Sequence, residues 1–204
     1  MPSTLFEFKK YRGICNTTDT TRVPVDYQSV AENVDIDDEY MPYRRNGYGN
    51  IIISGSVHSL WADDRVCLFV HNGSLKRLMP DLSDVSLLSV DQSLHMEYVR
   101  ATTNDYVYLT NNSIIGFYTN GTVYPIPEPD QTYKVRMTGG HLIEYYNNRL
   151  YAAFDDKIFH SDAVYLNQMD ERFGFIPMPG YITLLEAVLD GIYVGTGNDV
   201  WYLG

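Results

Sequence analysis

The chain has 204 residues, 45% hydrophobic and 14% aromatic, which is enough to bury a core and excludes an intrinsically disordered chain. Its 26 acidic against 15 basic residues give a net charge of −11, a field that repels nucleic acid and excludes a sequence-reading DNA binder. The apolar runs fall short of the ~20 residues of a membrane helix, the start MPSTLFEFKK lacks the form of a secretory signal, and Cys15 and Cys67 are too few for a disulfide framework, so a reducing intracellular origin and no membrane contact are expected.

Residues 1–47 hold Pro24, Pro42, many polar residues and short apolar islands, and read as an extended N-terminal arm with at most a turn of helix around Val30-Ala31-Glu32. The acidic run Asp35, Asp37, Asp38 and Glu39 is no calcium loop: Tyr40 stands where an EF-hand needs glycine, and Asn46 where it needs the bidentate Glu. Followed by Arg44 and Arg45, it makes a negative and then a positive patch, so Asp37, Asp38, Arg44 and Arg45 are the candidate interface of the arm.

Residues 48–204 repeat. HSLWADDRVCLFVHNGSLKRL from His58, YVRATTNDYVYLTNNSIIGFY from Tyr98, LIEYYNNRLYAAFDDKIFHSD from Leu142 and LLEAVLDGIYVGTGNDVWYLG from Leu184 superimpose without gaps, each as strand, turn, strand, turn, strand. The middle strands begin at Val66, Tyr106, Leu150 and Ile192, offsets of 40, 44 and 42 residues. Asp64-Arg65, Asn104-Asp105, Asn148-Arg149 and Asp190-Gly191 fill the first turn, and Asn72-Gly73, Asn112-Ser113, Asp156-Lys157 and Asn198-Asp199 the second. Asn, Asp and Gly tolerate the positive φ of tight hairpins. A further strand-like piece follows each of the first three units: DVSLLSV from Asp84, TYKVRM from Thr132 and FGFIPMP from Phe173.

Four strands per unit of about 40–45 residues is the arithmetic of a β-propeller blade, so the expected fold is an all-β propeller of four blade-like repeats. A sandwich or barrel is the competing architecture. The fourth unit reaches only three strands before Gly204, and YGNIIIS, Tyr48 to Ser54, precedes the first unit where an outer strand belongs. Ring closure by that segment is one expectation; strands from another subunit or from a longer chain are the others.

Chemical motifs are few. GTGND from Gly195 precedes no helix, so it is not a dinucleotide fingerprint. His58, His71, His95, His141 and His160 show no metal-ligand spacing, no GxSxG elbow occurs, and Cys67 reads as an inert core thiol. No cofactor is expected. Trp61 and Trp201 are expected to pack between blades, and the sequons at Asn72 and Asn120 to be turns. Glu144 and Glu186 occupy one position of the third and fourth units, where Leu60 and Arg100 stand in the first two. A carboxylate pair on adjacent inner strands raises glycosidase chemistry, against the simpler reading of a polar, watery channel.

AENVDIDDEYMPYRRNGYG, then GSVHSLW, CLFVHNGSLKRL and DGIYVGTGNDVWYLG, resemble the N-terminal part of bacteriophage virion proteins, whose members carry an arm, an HSLW strand and an LYVGT blade and continue past this point. The resemblance spans roughly Arg12 to Gly204. It implies a non-enzymatic structural protein of the tail, nozzle or collar, ringed with other copies of itself and with tail or connector proteins. Phage DNA would pass without sequence-specific binding, and the location would be the virion. Carbohydrate-binding and glycosidase propellers are the alternatives.

Overall fold

The computed structural model describes residues 53–204 throughout, together with the strands at 34–36 and 42–44. The chain divides into two units, Met1–Ile51 and Ile52–Gly204. In the first, β1 (Val34–Ile36) and β2 (Pro42–Arg44) pair antiparallel with Val34 opposite Arg44. Asp37, Asp38, Arg45 and the segment from Tyr48 to Ile52 lie outside the described residues, as does the side chain of Arg44.

The second unit is all-β, and its described residues contain no helix. The first sheet is β3 (Val57–Ala62), β4 (Cys67–His71), β5 (Ser74–Leu78) and β6 (Asp84–Ser89). The second is β7 (Glu97–Ala101), β8 (Tyr106–Thr110), β9 (Ile115–Thr119) and β10 (Thr122–Pro125). A ribbon of β11 (Lys134–Arg136) and β15 (Gln168–Asp170) flanks the third sheet, β12 (Leu142–Tyr146), β13 (Arg149–Phe154), β14 (Lys157–His160) and β16 (Phe175–Pro177). The fourth has three strands among the described residues, β17 (Ile182–Val188), β18 (Gly191–Thr196) and β19 (Asp199–Leu203). Every pairing within these sheets is antiparallel, as the repeat requires.

Turn chemistry sets the hairpins. Asn72-Gly73 has φ of 49° and 74°, Asn120-Gly121 48° and 84°, and Asn147-Asn148 46° and 59°, all in the left-handed region that twisted two-residue hairpins demand. The sequons at Asn72 and Asn120 therefore open turns. Two details of the sequence reading are corrected. The fourth strand of the second sheet is β10, not TYKVRM, whose central residues form β11 and pair with β15. The turns of the third and fourth units also fall one residue earlier than the gapless superposition places them, at Asn147-Asn148, Asp155-Asp156, Leu189-Asp190 and Gly197-Asn198.

That single residue matters because strand side chains alternate between faces. In the second sheet Val107 and Leu109 face the first sheet, while Tyr108 faces the third. In the third sheet Leu150 and Ala152 face the second, and Ala153 and Tyr151 face the fourth. Superposed positions thus point to opposite sides in the two halves of the array.

Three apolar clusters hold the sheets together. Leu68, Val70 and Leu75 meet Tyr98, Val107 and Leu109 between the first and second sheets, with Trp61 stacked on Tyr98 at 6.1 Å. Ala101, Tyr108, Ile143, Leu150 and Ala152 join the second to the third, capped by Met137 and Met169 of the ribbon region. Ala153, Ile158, Ile182, Leu185, Ile192 and Val194 join the third to the fourth. Among the described residues no such cluster links the fourth sheet to the first.

Candidate functional site

The first strands of the last three sheets lie side by side, β12 against β7 on one side and β17 on the other. Each carries one carboxylate near its middle or start: Glu97, Glu144 and Glu186. Glu144 lies opposite Tyr151 and shares that residue's face, toward the fourth sheet. Burial, with the charges of Glu186 and Glu97 added, pushes the Glu144 carboxyl up to about 7. Burial raises Glu97 as well, while His95 and His141 pull it back.

The sequence-predicted pair, Glu144 and Glu186, is brought onto neighbouring strands but not onto facing surfaces. Glu186 lies opposite Tyr193, on the side of the fourth sheet turned away from the third. The two carboxyls sit on the same-handed faces of successive sheets, near enough for the charge of Glu186 to raise Glu144. Glu97 escaped the sequence reading because it stands one residue ahead of the repeated segment, where the superposition had no column for it.

Histidines also come together in a way their spacing hid. His58 Nδ1 lies 2.8 Å from Ser59 Oγ, which lies 3.1 Å from His95 Nδ1, and His95 Nε2 lies 3.1 Å from Glu97 Oε1. Ser59 has φ of 54° and sits where the β3–β4 register shifts. Serine, histidine and carboxylate in series suggest a nucleophile, but Ser59 is buried and its Oγ accepts the Met96 N–H at 2.8 Å. The contact pins the bulge of β3 to the start of β7. Among the described residues no group of His, Cys, Asp and Glu is placed to hold a metal ion.

Other expected residues divide. Trp61 packs between sheets as expected, whereas Trp201 is 44% exposed and donates its Nε1–H to Thr196 Oγ1 at 2.9 Å. Cys67 is half-buried rather than a core thiol, and burial raises its pKa. His141 donates its Nε2–H to the Ile182 carbonyl at 2.7 Å and stacks on Tyr181. Of the GTGND glycines only Gly197 has positive φ, at 54°. Gly195 and Gly191 serve close approach instead: a Cβ on Gly195 would stand 2.9 Å from Leu184 Cβ, and one on Gly191 2.5 Å from the Leu203 carbonyl and 2.6 Å from the Tyr202 ring.

The fourth sheet has an exposed outer face, on which no apolar cluster forms among the described residues. Cross-strand pairing of Glu186 with Tyr193, Tyr193 with Tyr202, and Leu184 and Val200 with Gly195 puts these side chains on the face opposite the Ile192–Val194 cluster. Leu184 is 43% exposed, Tyr193 42%, Val200 68% and Tyr202 48%. Beside this face β19 is an edge strand with no neighbour among the described residues. Among those residues no helix is long and apolar enough to cross a membrane.

No protein-family model matches the chain, and no curated protein matches it.

Proposed function

We propose that this chain is a non-enzymatic structural component of a bacteriophage virion, a tail protein of the nozzle or collar, whose sheets are the blades of a β-propeller array. In this reading it assembles with other copies of itself in a ring and with other tail or connector proteins. Phage DNA passes through without sequence-specific binding. The observation that carries the proposal is the apolar outer face of the fourth sheet, where Leu184, Tyr193, Val200 and Tyr202 lie exposed together beside β19, an edge strand with no second neighbour among the described residues. A contiguous apolar sheet face and a free edge are what subunit contacts cover. The acidic balance of the chain fits a wall past which a polyanion slides.

Concentration-dependent light scattering, followed by electron microscopy of the associated species, tests this. Rings or ordered oligomers are expected, and the chain should be found among the proteins of purified particles. A protein that stays monomeric at its solubility limit and is absent from particles overturns the reading. Glycoside hydrolysis is a second reading because Glu144 holds its proton near neutrality. Hydrolysis of a glycan panel that is lost in Glu144→Gln would favour it.

A further inference from the structure

The chain is strongly acidic, yet three arginines line one cleft. Arg65, Arg77 and Arg100 border a cavity of about 520 Å³ between the first and second sheets, together with Tyr118 and the Asn120-Gly121 turn. The same register that buries Leu68 and Leu75 places Arg77, opposite Leu68, on the face toward the second sheet.

The arginines are not equivalent. Arg100 is held by Asp63, at 2.5 Å from its Nη2, and by Asp105 at 3.1 Å. Arg65 pairs with the same Asp105. Arg65 also lies 3.8 Å from Asp64, so Asp63, Asp64 and Asp105 all gather on Arg65 and Arg100. Arg77 makes no ion pair among the described residues, and its Nε is buried with no hydrogen-bond partner. Its Nη1 lies against Gly121, 3.9 Å from where a Cβ would stand. Sealed from solvent, that Nε–H is out of a ligand's reach, and it is the Nη groups beside the cleft wall to which an oxyanion supplies acceptors in the fork geometry that arginine presents. Asp105 already serves the rim, so what the cleft lacks is an acceptor deeper in, at Arg77.

We propose that this cleft is a binding site for a phosphate-type oxyanion, received by Arg77 with the outward N–H groups of Arg65 and the Asn120-Gly121 turn beside it. The Arg77 guanidinium, which no carboxylate among the described residues pairs, selects an anion, and the cavity leaves room for a substituent on the phosphate. The inference is independent of the virion reading, because it rests on the cleft alone.

The test is titration of the whole chain with inorganic phosphate and, separately, with glycerol phosphate, in chloride buffer at constant ionic strength. Arginine Nε–H resonances and calorimetry are the readouts. Saturable movement of the Arg77 signal is expected, with binding weakened about tenfold or more in Arg77→Met and unchanged in Arg172→Met, which removes an equal charge outside the cleft. Tighter binding of the ester would mark a phosphate-ester site, and equal or weaker binding a site for the free ion. Phosphate that leaves the Arg77 signal unmoved, or equal weakening in both variants, overturns the proposal. Should Arg77→Met fail to fold, the resonance titration of the unaltered chain decides alone.

Discussion

The second and fourth sheets are the same antiparallel meander built to different ends. In the second, β8 is covered on both faces, with Val107 and Leu109 against the first sheet and Tyr108 against the third. In the fourth, β18 buries Ile192 and Val194 against the third sheet and turns Gly191, Tyr193 and Gly195 outward. Outward glycines bring the neighbouring strands' side chains down onto the backbone: the Tyr202 ring lies over Gly191, and Leu184 lies over Gly195. The outer face is thereby flattened into a tyrosine-bearing surface, with Tyr193 and Tyr202 ring centroids 5.4 Å apart. Local strand chemistry makes both sheets; what lies next to a sheet decides whether its side chains are core or surface.

The largest effect that separates the two sheets is cavity formation. Leu109→Ala removes a fully buried side chain from the first cluster and should cost about 2–5 kcal/mol in urea unfolding. Tyr193→Ala, in the middle strand of the fourth sheet, should cost well under about 2 kcal/mol, because its ring is already 42% exposed. Equal losses would show that the outer face is as buried as the interior.

Overpacking comes next. Gly191→Ala drives a methyl into the Leu203 carbonyl and the Tyr202 ring and should destabilise by about 1–3 kcal/mol. Gly180→Ala meets nothing within 4 Å and should be neutral or slightly stabilising. Thermal melts of the two variants side by side distinguish a built face from a merely exposed one.

Between the two sheets stands Glu144, and its proton gives a pH signature. The folded chain keeps this carboxyl protonated up to about 7, whereas the unfolded chain releases the proton near its ordinary value of 4.5. The native state therefore binds more protons in that window, so this group's contribution to stability falls as pH rises from about 4.5 to about 7 and is level above. Glu144→Gln should leave stability unchanged below the window and raise it by roughly 1–2 kcal/mol above it, after allowance for solvent screening. Melting temperatures at acidic and mildly alkaline pH check this; a gain that is the same at both would remove the titration as its cause.

Much of the fold was legible because turns carry their own chemistry. Asn72-Gly73 and Asn120-Gly121 announce left-handed φ, and the three-strand core of all four units follows from them. β10 was not legible: its four residues run into Pro125, Pro127 and Pro129, and the longer apolar piece at TYKVRM drew the assignment instead. The one-residue slip between the second and third units was hidden because a gapless superposition scores apolar residues without knowing which face they serve. It misled the site reading, since Glu144 and Arg100 share a column yet face opposite ways: Arg100 meets Asp63 of the first sheet, and Glu144 points toward the fourth. The Arg77 cleft left no linear signal, because its arginines come from separate strands and turns and meet only when the sheets pack.

The smallest effect on the monomer should be the most telling for assembly. Val200 lies opposite Gly195, 68% exposed, on the outer face and on β19, which has no second neighbour among the described residues. Val200→Lys places a charge there without disturbing the third cluster, so its effect on unfolding should stay within about 0.5 kcal/mol. An edge lysine both blocks strand addition and must be desolvated under any partner laid on the face. If the outer face is a subunit contact, light scattering should show the variant monomeric where the unaltered chain associates, while Lys157→Glu, on the third sheet, leaves association intact. If the variant associates as well as the parent, the outer face of the fourth sheet is not the contact between subunits.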